Sequence, residues 1–175
     1  MRTAVSSFSP LVTFIQDEIS LPIVTIGLLG IAAPLAFAIA TTMANAPTRK
    51  IGVEKTLIAT SLLIIGGHVL RALSWDSTAL FVGSMMCLLG MGIGNILMPV
   101  MVRKYFPNRV GLISSFYISL TALSASAGSF LAVPFAELGG WRFSLGQWGL
   151  MAALTLLPLI ALRKNSTPEK PLPGV

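Results

Sequence analysis

Five long apolar segments, joined by short gaps, make up most of this chain, and the gaps alternate between rich in Lys/Arg and balanced or acidic. A helix needs about 20 mostly apolar residues to cross about 30 Å of hydrocarbon. The segments have that length, so the pattern predicts a chain threaded back and forth through a bilayer. Composition agrees. Of 175 residues 54% are hydrophobic and 10% charged, where a soluble domain carries about 25% charged residues.

The net charge of +6 does not point to nucleic acid. The basic side chains form no single stripe; they sit at segment ends, where they set orientation. Arg49, Lys50 and Lys55, with Glu54, follow the first clear segment. Arg103, Lys104 and Arg109 follow the third, and Arg163, Lys164 and Lys170, with Glu169, lie in the tail. The positive-inside rule places these three regions in the cytoplasm. The other gaps hold Asp17 and Glu18, Arg71 and Asp76, and Glu137 and Arg142. They are expected outside.

Helices are expected over about 22–46, 56–73, 78–102, 110–135 and 143–162. Because the 22–46 helix must begin outside, residues 1–17 read as the outer part of a first helix whose inner part is missing. As a helix, residues 1–15 would reach only about 22 Å. Residues 1–162 then form one transmembrane unit, and the Pro-rich 163–175 a cytoplasmic linker or the start of a central loop.

Polar stripes on these helices carry the functional expectation, because lipid offers no hydrogen-bond partners and such stripes must face protein or a watery cavity. Arg2, Ser6, Ser9, Thr13 and Gln16 recur at steps of three and four, one face of a helix. If that helix continues upstream, Arg2 lies deep in the membrane, where an arginine is costly and would attract a small anion. If Met1 is a cytoplasmic start, Arg2 merely reaches the surface. In the fourth segment Ser115, Ser119, Ala122, Ser126 and Ser129 form a small-residue stripe suited to close packing. Tyr117, Thr121, Ser124 and Gly128 form another, chosen here as the cavity face, although both could pack. Asn95, in a glycine-rich third segment, either binds solute or bridges helices. Pro99 should loosen the cytoplasmic end of that segment. His68 reads as a packing or interfacial residue, and Tyr105, Trp141 and Trp148 as an interfacial aromatic belt.

Several chemistries gain no support. Cys87 is the only cysteine, so neither a disulfide within the chain nor a thiolate metal site can form. Every carboxylate lies in a gap, a tail or at a segment edge, away from mid-membrane positions suited to a proton relay. No metal-binding HExxH, phosphate-cradling loop or nucleophile elbow is present. No cofactor or metal is expected, and the residues suggest no enzyme.

Four stretches then look familiar. Gly94-Asn95-Ile96-Leu97-Met98-Pro99 followed by Arg103-Lys104-Tyr105-Phe106-Pro107-Asn108-Arg109-Val110-Gly111-Leu112 resembles the helix 4 to helix 5 junction of the cyanate/nitroimidazole transporter family, within the major facilitator superfamily. Pro134, Glu137 and Gly139-Gly140-Trp141-Arg142 resemble its next junction. Residues from Met1 to Pro10 resemble its first helix, with an arginine at the place of Arg2. Arg49-Lys50-Ile51-Gly52 resembles a weakened form of the superfamily loop signature, with Arg49 where an acidic residue is usual. The resemblance implies an all-α, polytopic membrane helix bundle, the N-terminal six-helix half of a twelve-helix facilitator-type transporter with its first helix truncated.

The expected function is transport, by alternating access, of a small anion such as cyanate or a small polar organic compound. The expected setting is a bacterial inner membrane with the C-terminus cytoplasmic. The expected solute contacts are Arg2, Ser6, Asn95, Tyr117 and Thr121. Arg49, Lys50, Gly52, Arg103 and Arg109 are expected in the cytoplasmic gate loops. The expected partners are the lipid bilayer, the solute and a missing C-terminal six-helix half. The competing expectation is a non-transporting membrane subunit or scaffold, complete at this length.

Overall fold

A computed structural model describes residues 9–16, 18 and 22–165. A 3-10 turn at Ser9–Leu11 leads into α1 (Val12–Gln16). There follow α2 (Ile23–Ile51), α3 (Val53–Ala72), α4 (Ser77–Tyr105), α5 (Val110–Leu154) and α6 (Leu156–Asn165). No strand occurs among the described residues. The fold is an all-α membrane bundle, with four helical stretches long and apolar enough to cross a bilayer.

The solvent is written on its surface. Val24, Leu28, Ile31, Leu35 and Met43 run exposed along one face of α2, and Leu112, Phe116, Leu123 and Phe130 along α5. The buried side is instead built from small residues. Ala32, Ala36, Ala40 and Ala44 repeat every fourth position on α2 and are all buried. A Cβ on Gly92 of α4 would lie 2.6 Å from the Ala40 Cβ. Without a water-driven hydrophobic term between helices in lipid, such close approach supplies the packing energy.

Helices α3 and α4 pack most extensively, antiparallel, with Gly67 facing Gly83 and Ile64 facing Gly90. Asp76 caps α4 by accepting the Ala79 amide at 3.0 Å, which satisfies one of the donors left open at a helix start. At the opposite end from the basic termini, Leu11, Ile15, Leu80, Ala132, Ala136, Trp141 and Leu145 form one core cluster.

The structure moves several expected boundaries. Helix α2 runs on to Ile51 and α3 begins at Val53, so Arg49 and Lys50 lie in the last turn of a helix, and the expected loop shrinks to Gly52. That residue turns the chain alone, at φ +86°, a conformation costly to any residue with a Cβ. Gly140 does the same at φ +80° inside α5. As a straight rod the 45 residues of α5 would reach about 68 Å, twice the hydrocarbon thickness. The break at Gly140 folds it back, and Ser144 Oγ then donates to Ala132 O across the bend at 2.8 Å. Thus the expected gap between 135 and 143 is a one-residue reversal. Helix α4 passes Pro99 and continues to Tyr105. Thr155 interrupts the last expected helix, and α6 extends to Asn165, three residues into the expected linker.

Some burial expectations are also corrected. Arg71 is 1% exposed within α3, not in an outer gap. Trp141 and Trp148 are buried, because the reversal at Gly140 turns them into the bundle instead of toward the headgroups. Trp75, between α3 and α4, is instead the exposed tryptophan, at 83%. His68 is a packing residue as expected, its Nδ1 lying 2.9 Å from Leu145 O.

Candidate functional site: a neutral cavity between the helices

A cavity of about 500 Å³ lies between α3, α4, α5 and α6. It occupies the half of the bundle that carries the basic helix ends: Tyr105 and Phe106 belong to its lining, and Arg103 and Lys104 immediately precede them in the chain. Apolar side chains, among them Leu57, Met91, Met101, Val102 and Ile113, supply most of its wall. Its polar groups are few: Thr60 and Ser61 from α3, Asn95 and Tyr105 from α4, Tyr117 and Thr121 from α5, and Thr155 beyond it. Among the described residues, none that lines it carries a charge at neutral pH. A mostly apolar pocket with a small number of placed polar groups is the usual form of a small-molecule site.

The geometry joins three of the residues singled out in the sequence. Tyr117 Oη donates to Asn95 Oδ1 at 3.1 Å, so Asn95 both bridges α4 to α5 and faces the cavity. Thr121, one turn beyond Tyr117, lines the same space. Of the two stripes on this helix, Tyr117, Thr121 and Ser124 are half-buried and Gly128 buried, whereas Ser115, Ser119, Ala122, Ser126 and Ser129 are exposed. The inward stripe is the one carrying Tyr117. Arg2 and Ser6 lie outside the described residues. Their stripe continues in Thr13 and Gln16, which are exposed, while Ile15 is fully buried.

The expected gate residues are spread along the basic end. Arg49, Lys50, Arg103 and Arg109 are exposed. The polar contact that closes this end was not anticipated. Glu54, in the first turn of α3 and 8% exposed, pairs with Lys104 Nζ at 2.9 Å and accepts from Tyr105 Oη at 2.9 Å. Adjacent Lys104 and Tyr105 at the end of α4 and a lone acid at the start of the preceding helix were the available signal. Sequence reasoning also missed Thr60 and Ser61, although they and Thr56 are the only hydroxyl residues in 56–73.

At the far end Arg142 collects four connections. Its guanidinium lies over Trp141 at 4.3 Å and Trp75 at 5.3 Å, and its Nε donates to Ser74 O at 3.2 Å. It also pairs with Glu18. That hydrogen bond holds the Glu18 carboxyl below its ordinary pKa. The turns at that end are thereby tied together through one cation.

Fold and cavity together define a polytopic membrane protein with a solute-sized cavity lined, among the described residues, by uncharged side chains. The chain belongs to the Major Facilitator Superfamily, whose family model matches residues 1–174. It is 32% identical over 163 residues to the 2-nitroimidazole transporter of Escherichia coli (strain K12), covering 93% of this chain and 40% of that protein. It is 29% identical over 159 residues to the uncharacterized transporter YycB of Bacillus subtilis (strain 168), covering 90% of this chain and 39% of that one. A sugar transport protein, MST8 of Oryza sativa subsp. japonica, is 29% identical over 124 residues, covering 69% and 24% respectively. The chain thus spans about two fifths of the length of the first two relatives.

Proposed function

We propose that this chain is one half of a facilitator-type transporter of a bacterial inner membrane, moving a small solute by alternating access. Residues 1–162 would form its six-helix half-bundle, and a second six-helix half would complete the passage. The basic ends at Arg49, Lys50, Arg103 and Arg109, and the C-terminus, would face the cytoplasm, with Gly52 as a rigid turn between two helices.

The observation that carries this reading is the uncharged cavity in which Asn95, Tyr117 and Thr121 converge. Of the two solute classes expected from the sequence, its lining favours the polar organic compound over the anion. An anion entering it would exchange hydration for neutral groups alone, an unfavourable transfer. Cyanate would need Arg2 and Ser6 to join the site. Kinship with a 2-nitroimidazole transporter supports the neutral class.

Uptake of labelled 2-nitroimidazole by cells expressing the gene that carries this chain tests the reading. Tyr117→Phe and Asn95→Ala should each lower uptake severalfold at equal membrane abundance. Uptake equal to the parent in both would remove the cavity from the path. Arg2→Ala, assayed with labelled cyanate, tests the anion contact in the same cells.

A further inference from the structure

Hydrogen-bond directions inside the cavity single out a residue with no role so far. Thr60 Oγ1 donates to Thr56 O at 2.7 Å, Thr121 Oγ1 to Ile118 O at 2.7 Å, and Thr155 Oγ1 to Ala152 O at 2.6 Å. Tyr117 Oη donates to Asn95 Oδ1, and Tyr105 Oη to Glu54. These hydroxyl hydrogens are committed to the protein's own oxygens. Among the described lining residues, the donor hydrogens not assigned in this way are those of Ser61 Oγ and Asn95 Nδ2. Ser61 is 1% exposed, and its Oγ has no hydrogen-bond partner among the described residues. A buried hydroxyl in that state is unfavourable unless something in the cavity satisfies it.

The two donors belong to one level of the bundle. In the antiparallel α3–α4 pair, a Cβ on Gly90 would meet Thr60 O at 3.2 Å, and Glu54 pairs with Lys104. That register sets Ser61 within about one helical turn, ~5 Å, of Asn95 along the axis. We infer that Ser61 and Asn95 form the donor pole of the cavity, and that it takes an uncharged solute by an oxygen acceptor of the nitro or carbonyl type. Ser61 is then a specificity-determining residue. The inference rests on the cavity being the solute site.

The test uses membrane vesicles from cells expressing the gene that carries this chain, with labelled 2-nitroimidazole as neutral probe and labelled cyanate as anion. Ser61→Ala should raise the KM for 2-nitroimidazole roughly 3- to 10-fold, the loss of one hydrogen bond, with little change in maximal rate. The purified variant should melt no lower than the parent, because no internal bond is removed. The parent should favour 2-nitroimidazole over cyanate. An unchanged KM in Ser61→Ala, beside a raised one in Asn95→Ala, overturns the role of Ser61. Unchanged kinetics in both, and in Tyr117→Phe, bring down the cavity reading itself. A lower melting temperature with a reduced maximal rate makes Ser61 merely structural. Preference for cyanate, or no 2-nitroimidazole uptake by the parent, overturns the solute class.

Discussion

The contact between α3 and α4 makes the sign of a glycine substitution calculable. A methyl group on Gly67 would lie 2.7 Å from Gly83 O, 2.7 Å from Cys87 Sγ and 3.0 Å from Cys87 N. Two of those three atoms are backbone and cannot swing aside. Gly83 meets the same wall in return, its Cβ falling 2.9 Å from Gly67 O. Relief requires the helices to move apart by several tenths of an ångström along their whole interface. Overpacking of this kind costs about 1–3 kcal/mol. Against it stands the gain from replacing glycine within a helix, about 0.5–1 kcal/mol. Overpacking wins, and Gly67→Ala should destabilise the bundle by about 1–2 kcal/mol. Gly27 is the control. It is exposed on α2, and a Cβ there meets nothing within 4 Å, so Gly27→Ala should be neutral or stabilise by up to about 1 kcal/mol. Both are read by thermal or denaturant unfolding in detergent micelles. A Gly67→Ala protein as stable as the parent, or both variants shifting in the same direction, would refute the close α3–α4 packing.

The remaining predictions concern the two ends. Tyr105→Phe removes a donor to the buried Glu54 carboxylate and should lower stability by about 1.5 kcal/mol, seen as a lower melting temperature in the same micelles. Gly140→Ala places a Cβ at φ +80°, which should cost about 1–3 kcal/mol and show the same shift, although space there is open. The depressed Glu18 carboxyl makes its link to Arg142 fully present above the ordinary carboxylate range, and lost as pH falls below that range through the lowered pKa. Fluorescence of Trp75 and Trp141, which flank Arg142, should therefore change in acid, and Glu18→Gln should abolish that change.

Much of the architecture was legible because a bilayer simplifies the code. Apolar length alone marks a crossing, so the helices around residues 35, 65 and 90 needed no tertiary knowledge. The Tyr117 face could be chosen over the Ser119 face because a bulky hydroxyl is poor material for close helix contact. What escaped depends on single glycines and on distant pairs. Nothing in local hydropathy distinguishes Gly140, which reverses the chain alone, from Gly139 beside it. The charges at Arg49 and Lys50 implied a loop, yet helix geometry continues through them because their side chains can reach out of the bundle without unwinding the backbone. Arg71 and Asp76 looked alike as outer charges. One is buried in α3 and the other caps α4, a difference set by facing Gly83, which leaves room for the arginine stem. Ser61 stood beside Thr60 in the sequence, but the difference between them becomes apparent only when every other hydroxyl of the cavity has been assigned an acceptor.

The most direct test of the account is sidedness. In a Cys87→Ala background, single cysteines at Arg49, Arg103 and Arg109 would be compared with one at Trp75, using a membrane-impermeant maleimide on intact cells and on inverted vesicles. All three basic-end positions should label only in inverted vesicles, and Trp75→Cys only in intact cells. Labelling of Arg49→Cys and Arg103→Cys from opposite sides would contradict the membrane bundle on which every other statement depends.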